Sequence, residues 1–137
     1  MEKVTGTQIS GHSIGENGPL HVEIMADGLR AVLLRSFVVK TRSGRVIEVP
    51  LGTITDFASV PRIFWRIIPP WGSYSPAAVV HDWLYQSGIV ERKEADDIFL
   101  ELMERLDVPK WERTMMYWAV RLGGGPSWDS NRTPKNG

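Results

Sequence analysis

The 137-residue chain is long enough for one domain that buries about two-thirds of the surface its unfolded form exposes. Sixteen basic residues balance sixteen acidic ones, so there is no charge excess to hold a polyanion, and no nucleic-acid partner is expected. The chain has no cysteine, which excludes disulfides, thiolate metal ligands and a cysteine nucleophile.

Residues 1–19 are polar and punctuated by glycine, without helical or strand periodicity, and are expected to form a flexible or partner-docking arm. They lack the apolar core of a signal peptide. No later run approaches the ~20 apolar residues that cross a bilayer, so a soluble, unprocessed protein without a transmembrane segment is expected. From His21 to Pro50, "HVEIM", "RAVLLRSFVVKT" and "RVIEVP" are rich in β-branched residues and separated by the turn formers "ADG" and "RSG". This pattern predicts a small antiparallel meander. The segment "LGTITDFASVPRIFWRIIPPWGSY" carries too much Gly, Pro and aromatic content for regular structure, and is too apolar for a solvated loop.

A helix is predicted over residues 76–87, with Ser75 as cap, Pro76 in the first turn and Gly88 as a left-handed stop. A second runs from about Arg92 to Leu106, where Ala95, Ile98, Phe99, Leu102 and Leu106 make one apolar stripe. The third starts near Pro109 and ends at "GGG", residues 123–125, with Trp111, Met115, Trp118, Ala119 and Leu122 on one side. Residues 126–137 read as a loose tail. The expected fold is therefore α+β: a small antiparallel sheet followed by a three-helix segment, forming a single domain over residues 20–125.

The first two helices carry the chemistry. His81 and Tyr85 lie four residues apart on one helix face, and Asp82 sits one step around from His81. On the second helix, about 100° of rotation per residue puts Asp96 on the flank of the apolar stripe and turns Asp97 away from it. Asp96 is thus the acid that can meet His81. A carboxylate accepting from one imidazole nitrogen fixes the tautomer and leaves the other as a base for water, while Asp82 could hold a hard cation with help from backbone carbonyls. The same residues could equally form a buried polar network that only sets how two helices pack.

The order His81-Asp82-x-x-Tyr85, followed by "ADDIF", resembles the phospholipase A2 superfamily, especially its viral capsid form, whose HDxxY helix precedes one opening with Ala-Asp. By that resemblance His81 is the water-activating base, Asp82 the calcium-binding carboxylate, Tyr85 the hydroxyl that steadies the network, and Asp96 the orienting acid. The family's glycine-rich calcium loop is reduced here to Gly72 in "PPWGSY". Over roughly residues 20–122, "TDFASVPR" together with "HDWLY" is similar to a phage and prophage family of uncharacterised function. That implies synthesis in a bacterial host's cytoplasm, and either incorporation in the virion among other virion proteins or a tail-associated role.

Asp56 in "TDFASVPR" reads either as a turn cap or as a second metal-binding acid beside Asp82, and Arg62 as an ion-pair partner or a substrate anion site. Trp71 and Trp83, with Trp65, could rim a lipid-facing site, since indole favours interfaces. His12 and His21 have no partner spacing that makes a metal site. Three functional readings stay open: an ester hydrolase of phospholipase A2 type, a non-enzymatic virion or tail component, and a metal-dependent hydrolase of another substrate such as a cell-wall component.

Overall fold

Alternating burial shows how the first half of the chain forms sheets. In the computed structural model, which describes residues 7–9, 14–56, 63–64 and 72–132, six short strands precede four helices. Strands β1 (Thr7–Ile9), β2 (Leu20–Ile24), β3 (Ala31–Leu33) and β6 (Ile54–Thr55) form an antiparallel sheet in the order β1-β2-β3-β6. Strands β4 (Phe37–Lys40) and β5 (Val46–Val49) make a separate antiparallel hairpin. Leu20 and Val22, Ala31 and Leu33, Phe37 and Val39, and Ile47 and Val49 are all buried, two apart in each strand, as one-sided sheets require. The meander expected over His21–Pro50 is thus two sheets. The long run "RAVLLRSFVVKT" breaks at Leu34–Ser36, and its halves pair with different neighbours.

The described residues of both terminal segments include regular structure. Within residues 1–19, β1 pairs with β2, Ile14 is buried, and Gly15 bridges Val39. The segment after residue 125 opens with α4 (Gly125–Arg132) rather than a loose tail, which makes four helices where three were expected.

Helix α1 (Ser75–Ser87) is almost wholly buried and packs against α2 (Arg92–Arg105), α4, β5 and β6. It begins one residue earlier than predicted. Ser75 lies inside the helix, and its hydroxyl accepts the Gly72 N–H at 2.8 Å instead of capping α1. Gly88 ends α1 as expected, at φ 65°, donating its N–H to Leu84. The stripe on α2 is buried throughout, with Met103 added. Arg105 and Glu101 tie α2 to the β4–β5 hairpin, through Lys40 O at 2.8 Å and the Arg42 N–H at 2.8 Å.

Helix α3 (Lys110–Gly123) packs on α2 and α4, and buries Met116, Ala119 and Val120. The side of α3 that carries the large apolar residues is largely exposed: Trp111, Trp118 and Leu122 are 59%, 55% and 83% exposed. At the α3–α4 junction, a Cβ on Gly124 would lie 2.5 Å from Val120 O and 2.7 Å from the Tyr85 hydroxyl. Gly124→Ala should therefore cost about 1–3 kcal/mol by overpacking, read as a lower denaturant midpoint. A midpoint equal to wild type would show that this junction yields freely.

Candidate functional site

Helical spacing places the site. His81 and Tyr85 face α2 from one side of α1, and the turn over residues 88–91 brings Asp96, one turn into α2, against both. His81 Nε2 lies 2.7 Å from Asp96 Oδ1, and the Tyr85 hydroxyl donates to the same oxygen at 2.7 Å. An ionised carboxylate only accepts, so Nε2 carries the proton and Nδ1 holds the lone pair of the neutral ring. Asp97 points outward to Lys93 at 2.8 Å and the Tyr117 hydroxyl at 2.7 Å. The rotation argument that separated the two adjacent acids matches their placement.

Two arginines complete the network, and the sequence reading did not find either. Arg121 of α3 donates to Asp96 Oδ2 at 2.6 Å. Arg92 donates through Nε to the Tyr85 hydroxyl at 3.2 Å, and through its terminal nitrogen to Val120 O and Arg121 O at 2.8 and 2.7 Å. The signal available was the cost of burying Asp96: a carboxylate 0% exposed needs a cation, and neither a neutral histidine nor a tyrosine supplies one.

The electrostatics follow from burial. His81 is 1% exposed, and burial lowers its pKa below the ordinary 6.5 against the opposing pull of Asp96. Burial works to raise the Asp96 carboxyl, but hydrogen bonds and charge from His81, with Tyr85 and Arg121 donating as well, leave it below its usual range. Burial pushes the Tyr85 hydroxyl upward, helped by its bond to Asp96. At neutral pH the set is a neutral imidazole, a neutral phenol, a carboxylate and a guanidinium. The His81 ring stacks on Phe99 at 4.5 Å between centroids and contacts the Tyr85 ring at 4.4 Å. Trp128 of α4 packs edge-on to Tyr85 at 5.2 Å.

Asp82 faces elsewhere. Its Oδ2 accepts the Thr55 hydroxyl at 2.6 Å and the Asp56 N–H at 2.9 Å, which fastens α1 to β6. A cavity of about 390 Å³ adjoins it, lined by Ile54, Asp56, Asp82, Gln86, Ser127, Ser130 and Asn131. Asp82 and Asp56 thus do meet, but among the described residues no third histidine, aspartate or glutamate joins them to hold a metal. Calcium takes six to eight oxygens, so backbone carbonyls would have to join the pair to hold it. Trp83 is partly buried against the apolar core. Arg62, Trp71 and Trp65 lie outside the described residues. A second, apolar hollow of about 290 Å³ is lined by Phe64, Met115, Trp118, Ala119, Leu122 and Gly123.

The chain resembles two proteins of Sinorhizobium fredii (strain NBRC 101917 / NGR234). It is 39% identical to "Uncharacterized protein y4jT" over 82 residues, 58% of this chain and 24% of that protein. It is 28% identical to "Uncharacterized protein y4iH" over 109 residues, 78% of this chain and 45% of that protein. The chain therefore spans less than half the length of either relative. No solved structure matches it. A family model matches residues 31–120, a stretch that holds β3 to β6, both acids of the polar cavity and every member of the His81–Asp96 network except Arg121, and the chain belongs to that family, described as "Protein of unknown function (DUF1353)".

Proposed function

We propose that the chain is a hydrolase of a lipid or other ester, of phage or prophage origin, in which His81 activates water. The observation that carries this reading is the convergence of His81 Nε2 and the Tyr85 hydroxyl on one oxygen of Asp96, with Arg121 on the other. Such an arrangement fixes the ring and its tautomer, and leaves Nδ1 as the basic atom. In the step assigned to it, Nδ1 takes a proton from water as the water oxygen attacks the ester carbonyl carbon. The imidazolium returns that proton to the departing alkoxide. Asp96 stays ionised and stabilises the transient positive charge.

The cost of the network also favours a functional role. Buried ionic and polar groups can often be replaced by well-packed apolar residues with little loss of stability, so packing alone does not require five polar side chains between three helices. The apolar hollow beside α3, with exposed Trp118 and Leu122 on its wall, supports a lipid over a small polar ester. One observation favours the rival reading, a virion or tail-associated component in which the network only fixes helix packing: His81 is 1% exposed.

Hydrolysis of phospholipid vesicles and of a soluble aryl ester, each with and without calcium, separates the two. Turnover should hold steady from pH 8 down through about 6.5 and fall only below it, because burial keeps His81 unprotonated under the pH where a free imidazole charges. Absence of turnover by the wild-type chain on every substrate, at every pH, would leave the packing role.

A further inference from the structure

We propose that Arg121 regulates the His81 site from α3: by holding Asp96 Oδ2 it keeps the carboxylate from giving its full charge to His81, so that the ring is a weaker base than a His–Asp pair alone would make it. The inference rests on the reading of His81 as the base. It adds a positioning residue that acts through Asp96.

The division of the carboxylate carries the inference. Oδ1 accepts both His81 Nε2 and the Tyr85 hydroxyl at 2.7 Å, and Oδ2 accepts Arg121 at 2.6 Å. Charge-assisted bonds of that length are the strong ones, and a carboxylate that binds a guanidinium through one oxygen is a weaker acceptor at the other. Asp96 favours the imidazolium, and Arg121 subtracts from that help. The geometry is braced by Arg92, which donates to Val120 O and Arg121 O at 2.8 and 2.7 Å and so ties the last turn of α3 to the start of α2.

Arg121 also connects the network to solvent. Its side chain is 24% exposed, against 0% for Asp96 and 1% for His81. A shift of α3, or an anion that competes for the guanidinium, changes the charge His81 meets without entering the buried part. Among the described residues, the charges facing His81 are Asp96 and Arg92 from α2 and Arg121 from α3. The other elements packed on α1 direct theirs elsewhere: β5 buries the apolar Ile47 and Val49, and on the β6 side Asp82 accepts from Thr55 and the Asp56 N–H. From α4, Arg132 donates to Tyr85 O and Gln86 O at 2.6 and 2.9 Å, one turn beyond His81, and Asp129 is exposed.

The test follows the His81 imidazole of the full chain by NMR against pH in wild type, Arg121→Gln, Arg121→Lys and Lys93→Gln, with His81→Asn assigning the ring. Arg121→Gln removes the charge and keeps an N–H donor, and should raise the proton affinity of His81 about tenfold. Arg121→Lys keeps the charge and should stay within about twofold of wild type. Lys93→Gln removes a surface cation of α2 that pairs with Asp97, and should also stay within about twofold, which excludes an effect of net charge.

Urea unfolding at about pH 7.5 and about pH 5 gives a second measure that does not need the ring signal. The folded pKa of His81 lies below the unfolded 6.5, so wild type loses stability as pH drops through 6.5, and raising the folded value shrinks that loss in Arg121→Gln. A bond that only braced α3 would lower stability equally at both pH values. Where hydrolysis is measured, the acid limb of kcat should move up with His81 and KM should stay; absence of hydrolysis by wild type counts against the enzyme reading alone, and the titration still judges Arg121. A proton affinity in Arg121→Gln within about twofold of wild type, with the acid loss of stability unchanged, would overturn the proposal. So would equal shifts in Arg121→Gln and Arg121→Lys, or in Arg121→Gln and Lys93→Gln.

Discussion

His81→Asn is expected to lower ester hydrolysis by about a hundredfold to ten-thousandfold, the range a positioned general base contributes, while the chain stays folded. Asparagine ends about where Nδ1 stands, short of the Nε2 that donates to Asp96 Oδ1, but the Tyr85 hydroxyl and Arg121 still donate to the carboxylate, so it is not stranded. What asparagine cannot do is accept a proton from water near neutral pH. The loss should fall on kcat, with KM little changed, because the ring is asked to act on the reacting water rather than on the body of the substrate. Turnover within a factor of three of wild type would remove His81 from the chemistry. Far-UV and near-UV circular dichroism of the same sample guards against the trivial explanation that the variant is unfolded.

The His81–Asp96 contact was legible in the sequence because it depends on two local regularities, the four-residue spacing of His81 and Tyr85 and the phase of Asp96 against a clean apolar stripe. Helix boundaries were legible to within a residue or two, since Gly88 and the Pro109 region punctuate strongly. Strand pairing was less so. Whether β3 continues into β4 or breaks is settled by β6 competing for the edge of β3, a non-local fact that no period in "RAVLLRSFVVKT" encodes. The inner face of α3 was not legible for a related reason. Trp111, Met115, Trp118 and Leu122 form a regular stripe, yet α2 and α4 meet α3 over Met116, Ala119 and Val120, and large apolar residues are not obliged to be inside. Arg121 was not legible either, since only the register of α3 brings it to Asp96.

Asp96→Ala should be among the most destabilising single changes in the chain, at about 3–5 kcal/mol, because it removes the one acceptor on which three buried or half-buried donors converge. The Arg121 guanidinium would lose its counter-charge, and the His81 N–H and Tyr85 hydroxyl would be left without the oxygen they share. Urea unfolding should show a lower midpoint at unchanged m value. A cost below about 1 kcal/mol would mean that water replaces the carboxylate and that the network is not sealed. The same groups predict how stability depends on pH. For His81 the folded pKa lies below the unfolded 6.5, so the unfolded chain binds more protons and stability falls as pH drops through 6.5 toward the folded value. For Asp96, also lowered in the folded state, the contribution is complete above the unfolded 3.8 and is lost as pH falls below it. Wild type should therefore lose stability in two acid steps. The upper step should vanish in His81→Asn, which has nothing to titrate there. In Asp96→Ala the upper step should still open at 6.5 but extend to lower pH and deepen, because without its carboxylate partner the buried imidazole resists protonation more strongly than in wild type.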